Sequence, residues 1–110
     1  MIEPLDLVFG ALADPTRRGV VEALLAEGST SVPALSRQLP ISRQAIAKHL
    51  SILDGAGLVE RAPGDGGREV RYRLREGALR PAADWLAEAD RAWDRRLRAL
   101  KRSVESRPGR

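Results

Sequence analysis

Residues 33–62 read PALSRQLPISRQAIAKHLSILDGAGLVERA, and the punctuation of this stretch decides the fold. Leu35 and Leu39 stand four apart, the spacing of one helical face, and Pro40 stops that helix because it has no N–H to donate. Ser31 and Pro33 open it, a capping hydroxyl followed by a ring already set near the helical φ. Ile41 makes the turn and Ser42 caps the next helix, which is predicted from Ser42 to Ala56. Ile46, Leu50 and Leu53 share the apolar face of that helix, and Gly55 and Gly57 mark its end. A connection of about three residues between two such helices is what a helix-turn-helix requires.

Upstream, Leu5, Val8, Phe9 and Leu12 recur at helical spacing until Asp14 and Pro15 interrupt them. Asp14 caps a second helix over Pro15–Glu27, with Val20, Val21, Leu24 and Leu25 as its apolar face and Gly28 as its stop. Downstream, the period changes to two. Leu58–Pro63 and Arg68–Leu74 flank Gly64, Asp65, Gly66 and Gly67, and Val70, Tyr72 and Leu74 alternate with Glu69, Arg71 and Arg73. This predicts a β-hairpin that buries Val70, Tyr72 and Leu74 and turns Arg71 and Arg73 to solvent or a partner. A helix-turn-helix followed by such a hairpin is a winged helix.

From Ala78 to about Val104 the helical period returns. Leu79, Leu86, Trp93 and Leu100 stand seven apart, and Ala83, Leu97 and Val104 form a second series that Asp90 interrupts. Such a seam suits a pair of helices, antiparallel or parallel. Pro81 falls in the first turn, and Arg107–Arg110 read as a frayed tail. The expected fold is mainly α with a small β-hairpin wing (α+β), in one domain over residues 1–110. Its helix-turn-helix covers about 32–56, its wing about 58–74 and its C-terminal pairing helix about 78–104.

Composition narrows the function. The chain has 110 residues, 43% hydrophobic and 31% charged, as in an ordinary globular domain. No apolar run approaches the roughly 18 residues of a membrane span, and MIEPLDLVFG carries no basic leader, so a cytoplasmic location without a membrane partner is expected. The absence of cysteine removes disulfides, thiolate metal sites and cysteine nucleophiles. His49 is the single histidine, which leaves neither a multi-histidine zinc site nor a spare triad base. No catalytic residue, metal or cofactor is expected, and the chain reads as a non-enzyme. Asp84, Glu88, Asp90 and Asp94, interspersed with Arg91, Arg95 and Arg98, read as salt-bridged helix surface rather than an acid/base pair. Trp85 and Trp93 could enclose a small apolar ligand, but Trp93 lies in the seam and packing is the stronger reading.

The net charge of +4 points to a polyanion. Its bulk lies late in the chain: residues 1–57 carry a net −1, residues 58–76 a net +1 and residues 77–110 a net +4. A nucleic-acid reading must therefore rest on where individual side chains project. Opposite Ile46 and Leu50, the helix from Ser42 presents Gln44, Ala47, Lys48 and Ser51, with Ser42 and Arg43 at its leading end. Gln pairs with adenine, Arg with guanine and Ala with a thymine methyl in a major groove. His49 lies on the flank of the apolar stripe, where it contacts either a neighbouring carbonyl or a phosphate. Arg68, Arg71 and Arg73 of the hairpin can follow a phosphate backbone or enter a narrow minor groove, and Arg17 and Arg18 can reach phosphate from the second helix. A winged helix can also be a protein-interaction or RNA-binding module. Readers of single-stranded RNA stack bases on aromatic side chains, and only Tyr72 lies on an expected strand, so double-stranded DNA is the favoured partner.

ALADPTRR at Ala11–Arg18, ISRQAIAKHLSILDGAGLVERA at Ile41–Ala62 and GREVRYRL at Gly67–Leu74 together resemble the ArsR family of bacterial winged-helix repressors. The resemblance covers nearly the whole chain. It implies a homodimer built from N- and C-terminal dimerisation helices, here Leu5, Phe9, Leu79, Leu86, Trp93, Leu97 and Leu100. It also implies two recognition helices on an inverted-repeat operator and repression, in several members of their own genes, relieved by an inducer. Metal sensors of the family carry a cysteine-containing box where this chain has Ser31, Val32 and Pro33, and others use histidines on the last helix, which has none here. The chain is thus similar to members without a metal site, and its motifs name no inducer.

Overall fold

The computed structural model describes residues 3–63 and 69–106. They fall into two compact units, Met1–Leu79 and Arg80–Arg110. The first holds α1 (Pro4–Leu12), α2 (Pro15–Glu27), β1 (Ser29–Ser31), α3 (Val32–Gln38), α4 (Arg43–Gly55), β2 (Val59–Arg61) and β3 (Arg71–Leu74), and the second holds α5 (Arg80–Glu105).

Local chemistry explains the helix boundaries. The Asp14 carboxylate accepts from the Arg17 N–H at 2.9 Å, Ser31 Oγ from the Ala34 N–H at 3.2 Å and Ser42 Oγ from the Ala45 N–H at 3.1 Å. Each satisfies one of the donors that a helix start leaves without an intrahelical acceptor. Gly28 ends α2 at φ 81° and Gly57 follows α4 at φ 77°, a region that side chains with a Cβ rarely enter.

The core of this unit lies where α1, α2, α3 and α4 meet the sheet. Val20, Leu35, Ile46, Leu53, Leu58 and Val59 are fully buried there, with Val8, Ala11, Val21, Leu24 and Leu50 around them. Every expected helix of the first unit is present. The sheet differs from the expected hairpin. It has three antiparallel strands in the order β1-β3-β2, with Thr30 opposite Tyr72 and Arg61 also opposite Tyr72 across the other edge. β1 was not expected, because Ser29–Ser31 is too short and too polar to show an alternating pattern. Its extended state comes from pairing with β3.

β3 begins at Arg71, so Val70 is 46% exposed rather than on the buried face, while Tyr72 and Leu74 are half-buried. Arg68, the first residue of the expected strand, and the glycine-rich tip at Gly64–Gly67 lie outside the described residues, as does the tail at Arg107–Arg110. α5 starts at Arg80 rather than Ala78, since the Ala78 N–H closes a turn onto the Arg75 carbonyl at 3.0 Å. Leu79 therefore precedes the helix, and Pro81 sits in its first turn as expected.

Thr30 and Ser31 are neighbours with opposite energetic roles. Both are buried, but Ser31 caps α3 while Thr30 Oγ1 has no hydrogen-bond partner among the described residues. An unpaired buried hydroxyl is unfavourable, whereas a β-branched apolar side chain of the same shape suits a strand. Thr30→Val is expected to raise stability by about 1 kcal/mol and Ser31→Ala to lower it by about 1 kcal/mol, read as opposite shifts of the urea midpoint at one protein concentration.

Candidate nucleic-acid interface

α4 presents the face the sequence reading assigned to it. Ile46, Leu50 and Leu53 point inward, and Arg43, Gln44, Ala47, Lys48 and Ser51 are exposed on the other side, with exposed Ser42 at the N-terminal end. The positive end of the helix dipole thus leads into Arg43 and Gln44, a favourable arrangement toward an anionic backbone. α3 precedes α4 through a tight turn in which the Ile41 N–H donates to the Leu39 carbonyl at 2.8 Å.

Beside this face, β2 and β3 form one wall of a cleft of about 170 Å³ lined by Ala47, Ser51, Asp54, Glu60, Arg61 and Tyr72, with Leu50 at its base. The cleft joins the exposed side of α4 to the wing. Arg61 stands here, exposed and without an ion pair among the described residues. The sequence reading did not single it out. Its alternation with the inward Val59 in β2 was the signal available.

The other candidate arginines among the described residues are engaged within the protein. Arg17 Nε donates to the Ala11 carbonyl at 2.7 Å and Nη2 to that of Gly10 at 3.4 Å, while Nη1 lies 3.4 Å from His49 Nδ1. A guanidinium only donates, so that last contact is a hydrogen bond when His49 Nδ1 carries no proton. Arg18 Nη1 donates to the carbonyls of Leu12 at 2.8 Å and Ala13 at 3.1 Å. Both side chains therefore satisfy the free carbonyls at the end of α1 and complement its dipole.

Arg71, expected to face solvent or a partner, is partly exposed and also bonded within the protein. It is half-buried, its Nε donates to Ser29 Oγ at 3.0 Å, and its Nη2 donates to the Ser29 carbonyl at 2.9 Å. The unforeseen strand β1 supplies both acceptors. Its remaining nitrogen lies 3.5 Å from Glu69. Arg73 is exposed and paired with Glu60 at 2.8 Å, and Arg75 shares that carboxylate at 3.6 Å. Arg68 lies outside the described residues.

On α5, Glu88 pairs with Arg91 at 3.0 Å and Arg95 at 3.2 Å, and these hydrogen bonds hold its carboxyl below the usual range. No group of three or more His, Cys, Asp or Glu among the described residues is placed to hold a metal ion. No helix among them is long and apolar enough to cross a membrane.

A helix-turn-helix whose second helix turns a polar, cationic face outward beside a β wing defines a class, the DNA-binding transcriptional regulators. Residues 12–62 match the helix-turn-helix domain family. The chain is 41% identical to the HTH-type transcriptional regulator Rv2034 of Mycobacterium tuberculosis, over 92% of its own length and 89% of that protein's. It is 34% identical to the arsenical resistance operon repressor of Escherichia coli, over 92% and 84% of the two chains. Among solved structures, an ArsR-like transcriptional regulator from Rhodococcus superposes with a TM-score of 0.76 at 43% identity, covering 94% of this chain and 95% of that one. The protein belongs to the ArsR family of helix-turn-helix transcriptional regulators.

Asp14 gives this region a defined acid response. The Arg17 N–H that it accepts lowers its pKa from the ordinary 3.8; desolvation opposes this, and the charges of Arg17 and His49 add to the lowering. A carboxylate depressed in the folded state contributes stability that is fully present above its unfolded value and is lost as pH falls through the folded one. Asp14→Asn keeps a capping acceptor but removes this titration. The variant is expected to have a lower urea midpoint than the wild type near pH 7, with the difference shrinking below about pH 4 as wild-type Asp14 protonates.

Proposed function

We propose that the protein is a homodimeric repressor that reads an inverted-repeat operator, each α4 lying in a major groove. The observation that carries this reading is the outward face of α4, where Arg43, Gln44, Ala47, Lys48 and Ser51 are exposed directly opposite Ile46, Leu50 and Leu53. Gln44 is assigned to a base edge. Ser42, Arg43, Lys48 and Ser51 are assigned to base edges or the adjoining phosphates, and Arg61 to phosphate from the wing.

Arg17, Arg18 and Arg71, whose N–H groups already meet carbonyls and Ser29, are assigned to positioning the DNA-facing elements. His49, through Arg17, belongs with them. Arg73 is shared with Glu60 and available to a phosphate in exchange. The exposed apolar side chains Leu86, Trp93, Leu97 and Leu100 of α5 support the dimer, and the family resemblance adds Leu5, Phe9 and Leu79 to that interface.

The first test is fluorescence anisotropy on DNA from upstream of the protein's own gene against scrambled DNA near physiological salt. A preference of a hundredfold or more supports an autoregulating repressor, and equal weak binding to both fragments contradicts that reading. Gln44→Ala is expected to lose about 1–3 kcal/mol of discrimination on the preferred site while binding random DNA as before. Equal losses on both DNAs would remove Gln44 from base readout.

The Glu60 carboxylate holds two wing cations, so its neutralisation tests the wing separately. Glu60→Gln is expected to strengthen binding to every sequence and to steepen the dependence of log affinity on log salt by about one unit, because a freed arginine adds a phosphate contact and releases a counterion. Stability should change by less than about 1 kcal/mol, as is usual for exposed ion pairs.

A further inference from the structure

α5 carries a feature that DNA reading does not use, a carboxylate in the middle of its apolar seam. Leu86, Trp93, Leu97, Leu100 and Val104 are between 44% and 61% exposed, and only Ala82 of the whole helix is buried. Asp90 occupies the seam position seven residues before Leu97 and seven after Ala83. It has no hydrogen bond or ion pair among the described residues, and neither has the indole N–H of Trp93. Each needs a partner once the seam is covered, since an unpaired buried polar group is costly.

A second copy of α5 supplies both partners in one arrangement. In an antiparallel pair, each residue of one seam series faces a residue of the other series on the second helix. If Asp90 of one chain is set opposite Trp93 of the other, symmetry sets Trp93 of the first opposite Asp90 of the second. The same register places Leu86 opposite Leu97 and Leu100 opposite the small Ala83. Sliding one helix by a heptad puts Asp90 against Leu100 or Leu86, with nothing to bond it. A parallel pair sets the two Asp90 carboxylates side by side.

Charge selects the same direction. The first half of α5 carries Asp84, Glu88 and Asp90 against Arg80 and Arg91, whereas the second half is strongly basic, with Arg95, Arg96, Arg98, Lys101 and Arg102 against Asp94 and Glu105. Antiparallel pairing brings unlike halves together, and parallel pairing brings the two basic halves together.

We propose that two copies of α5 pair antiparallel in the register that places Asp90 opposite Trp93, the carboxylate of each chain accepting the indole N–H of the other. This rests on the homodimer reading above and goes beyond it by fixing direction, register and the polar lock. Asp90 is the register device of the seam, in the way that a single polar residue at a core position fixes the alignment of a coiled coil.

The native chain has no cysteine, so single introduced thiols report the register in the full-length protein. Leu86→Cys and Leu97→Cys variants are made separately, equilibrated together and oxidised, with light scattering on the wild type in parallel. The expected result is a disulfide-linked heterodimer from the mixture and no linked dimer from either variant alone. Self-linking of each variant alone means parallel pairing and overturns the proposal. A dimeric wild type with no cross-link in the mixture overturns the register and leaves the homodimer standing. A monomeric wild type at micromolar concentration removes the homodimer, and the register with it.

A double-variant cycle tests the lock itself. Trp93→Phe and Asp90→Leu are each expected to raise the dimer dissociation constant roughly tenfold, and the double variant to dissociate no more readily than either single one, because no unpaired polar group then remains. Additive losses overturn the hydrogen bond between them. Circular dichroism of each variant separates loss of pairing from loss of folding.

Discussion

Arg17 joins three elements, α1, α2 and α4, through its side chain and its backbone N–H. Its Nε and Nη2 hold the carbonyl end of α1, its backbone N–H anchors the Asp14 cap of α2, and its Nη1 meets His49 on the flank of α4. A cation among helix carbonyls and a carboxylate is well compensated, so the group can sit partly buried at modest cost. Remove it, and the end of α1 loses its acceptors' partners while α4 loses a polar contact that complements the packing of Ile46, Leu50 and Leu53. The apolar contacts bury one face of α4, and the Arg17–His49 contact lies on its flank.

The helices were legible because their signals are local. Asp14, Ser31 and Ser42 cap their helices through bonds to residues three positions later, and Gly28 takes the positive φ that its place after a helix foretells. The outward face of α4 followed from the same periodicity. β1 and the state of Arg71 were illegible for one shared reason. Arg71 finds its acceptors on Ser29, forty-two positions earlier, and Ser29–Ser31 becomes a strand only because β3 is beside it. Alternation in one strand says which side chains share a face. It does not say whether a third strand covers the edge beside them.

The arginines show that composition does not locate a site. The excess of positive charge invited a nucleic-acid reading, yet most of it lies in the last third of the chain, where it alternates with acids on α5. Of the five candidate arginines outside α4, Arg17, Arg18 and Arg71 bond to protein acceptors, Arg73 pairs with Glu60, and Arg68 lies outside the described residues. The described cations of the first unit differ in engagement. Arg37, Arg43, Lys48 and Arg61 make no ion pair among the described residues, whereas Arg17, Arg18, Arg71, Arg73 and Arg75 meet protein acceptors. An exposed cation without a partner retains its hydration and its counterions, and exchanging those for phosphate is what makes binding salt-dependent.

α5 poses the complementary problem. α5 buries only Ala82, and Glu88 with Arg91 and Arg95 contributes only a few tenths of a kcal/mol per pair. Ala92, Ala99 and the many arginines favour the helical state, but the two tryptophans and the leucines gain nothing from it while they face solvent. Hydrophobic burial at roughly 25 cal/mol per Å² is the larger available term, and it is realised only when the seam is covered. A seam of large apolar side chains interrupted by one carboxylate is a poor surface for indiscriminate packing. The same carboxylate that weakens every other alignment is satisfied where an indole N–H opposes it, so a small loss of apolar area is exchanged for a single allowed partner geometry.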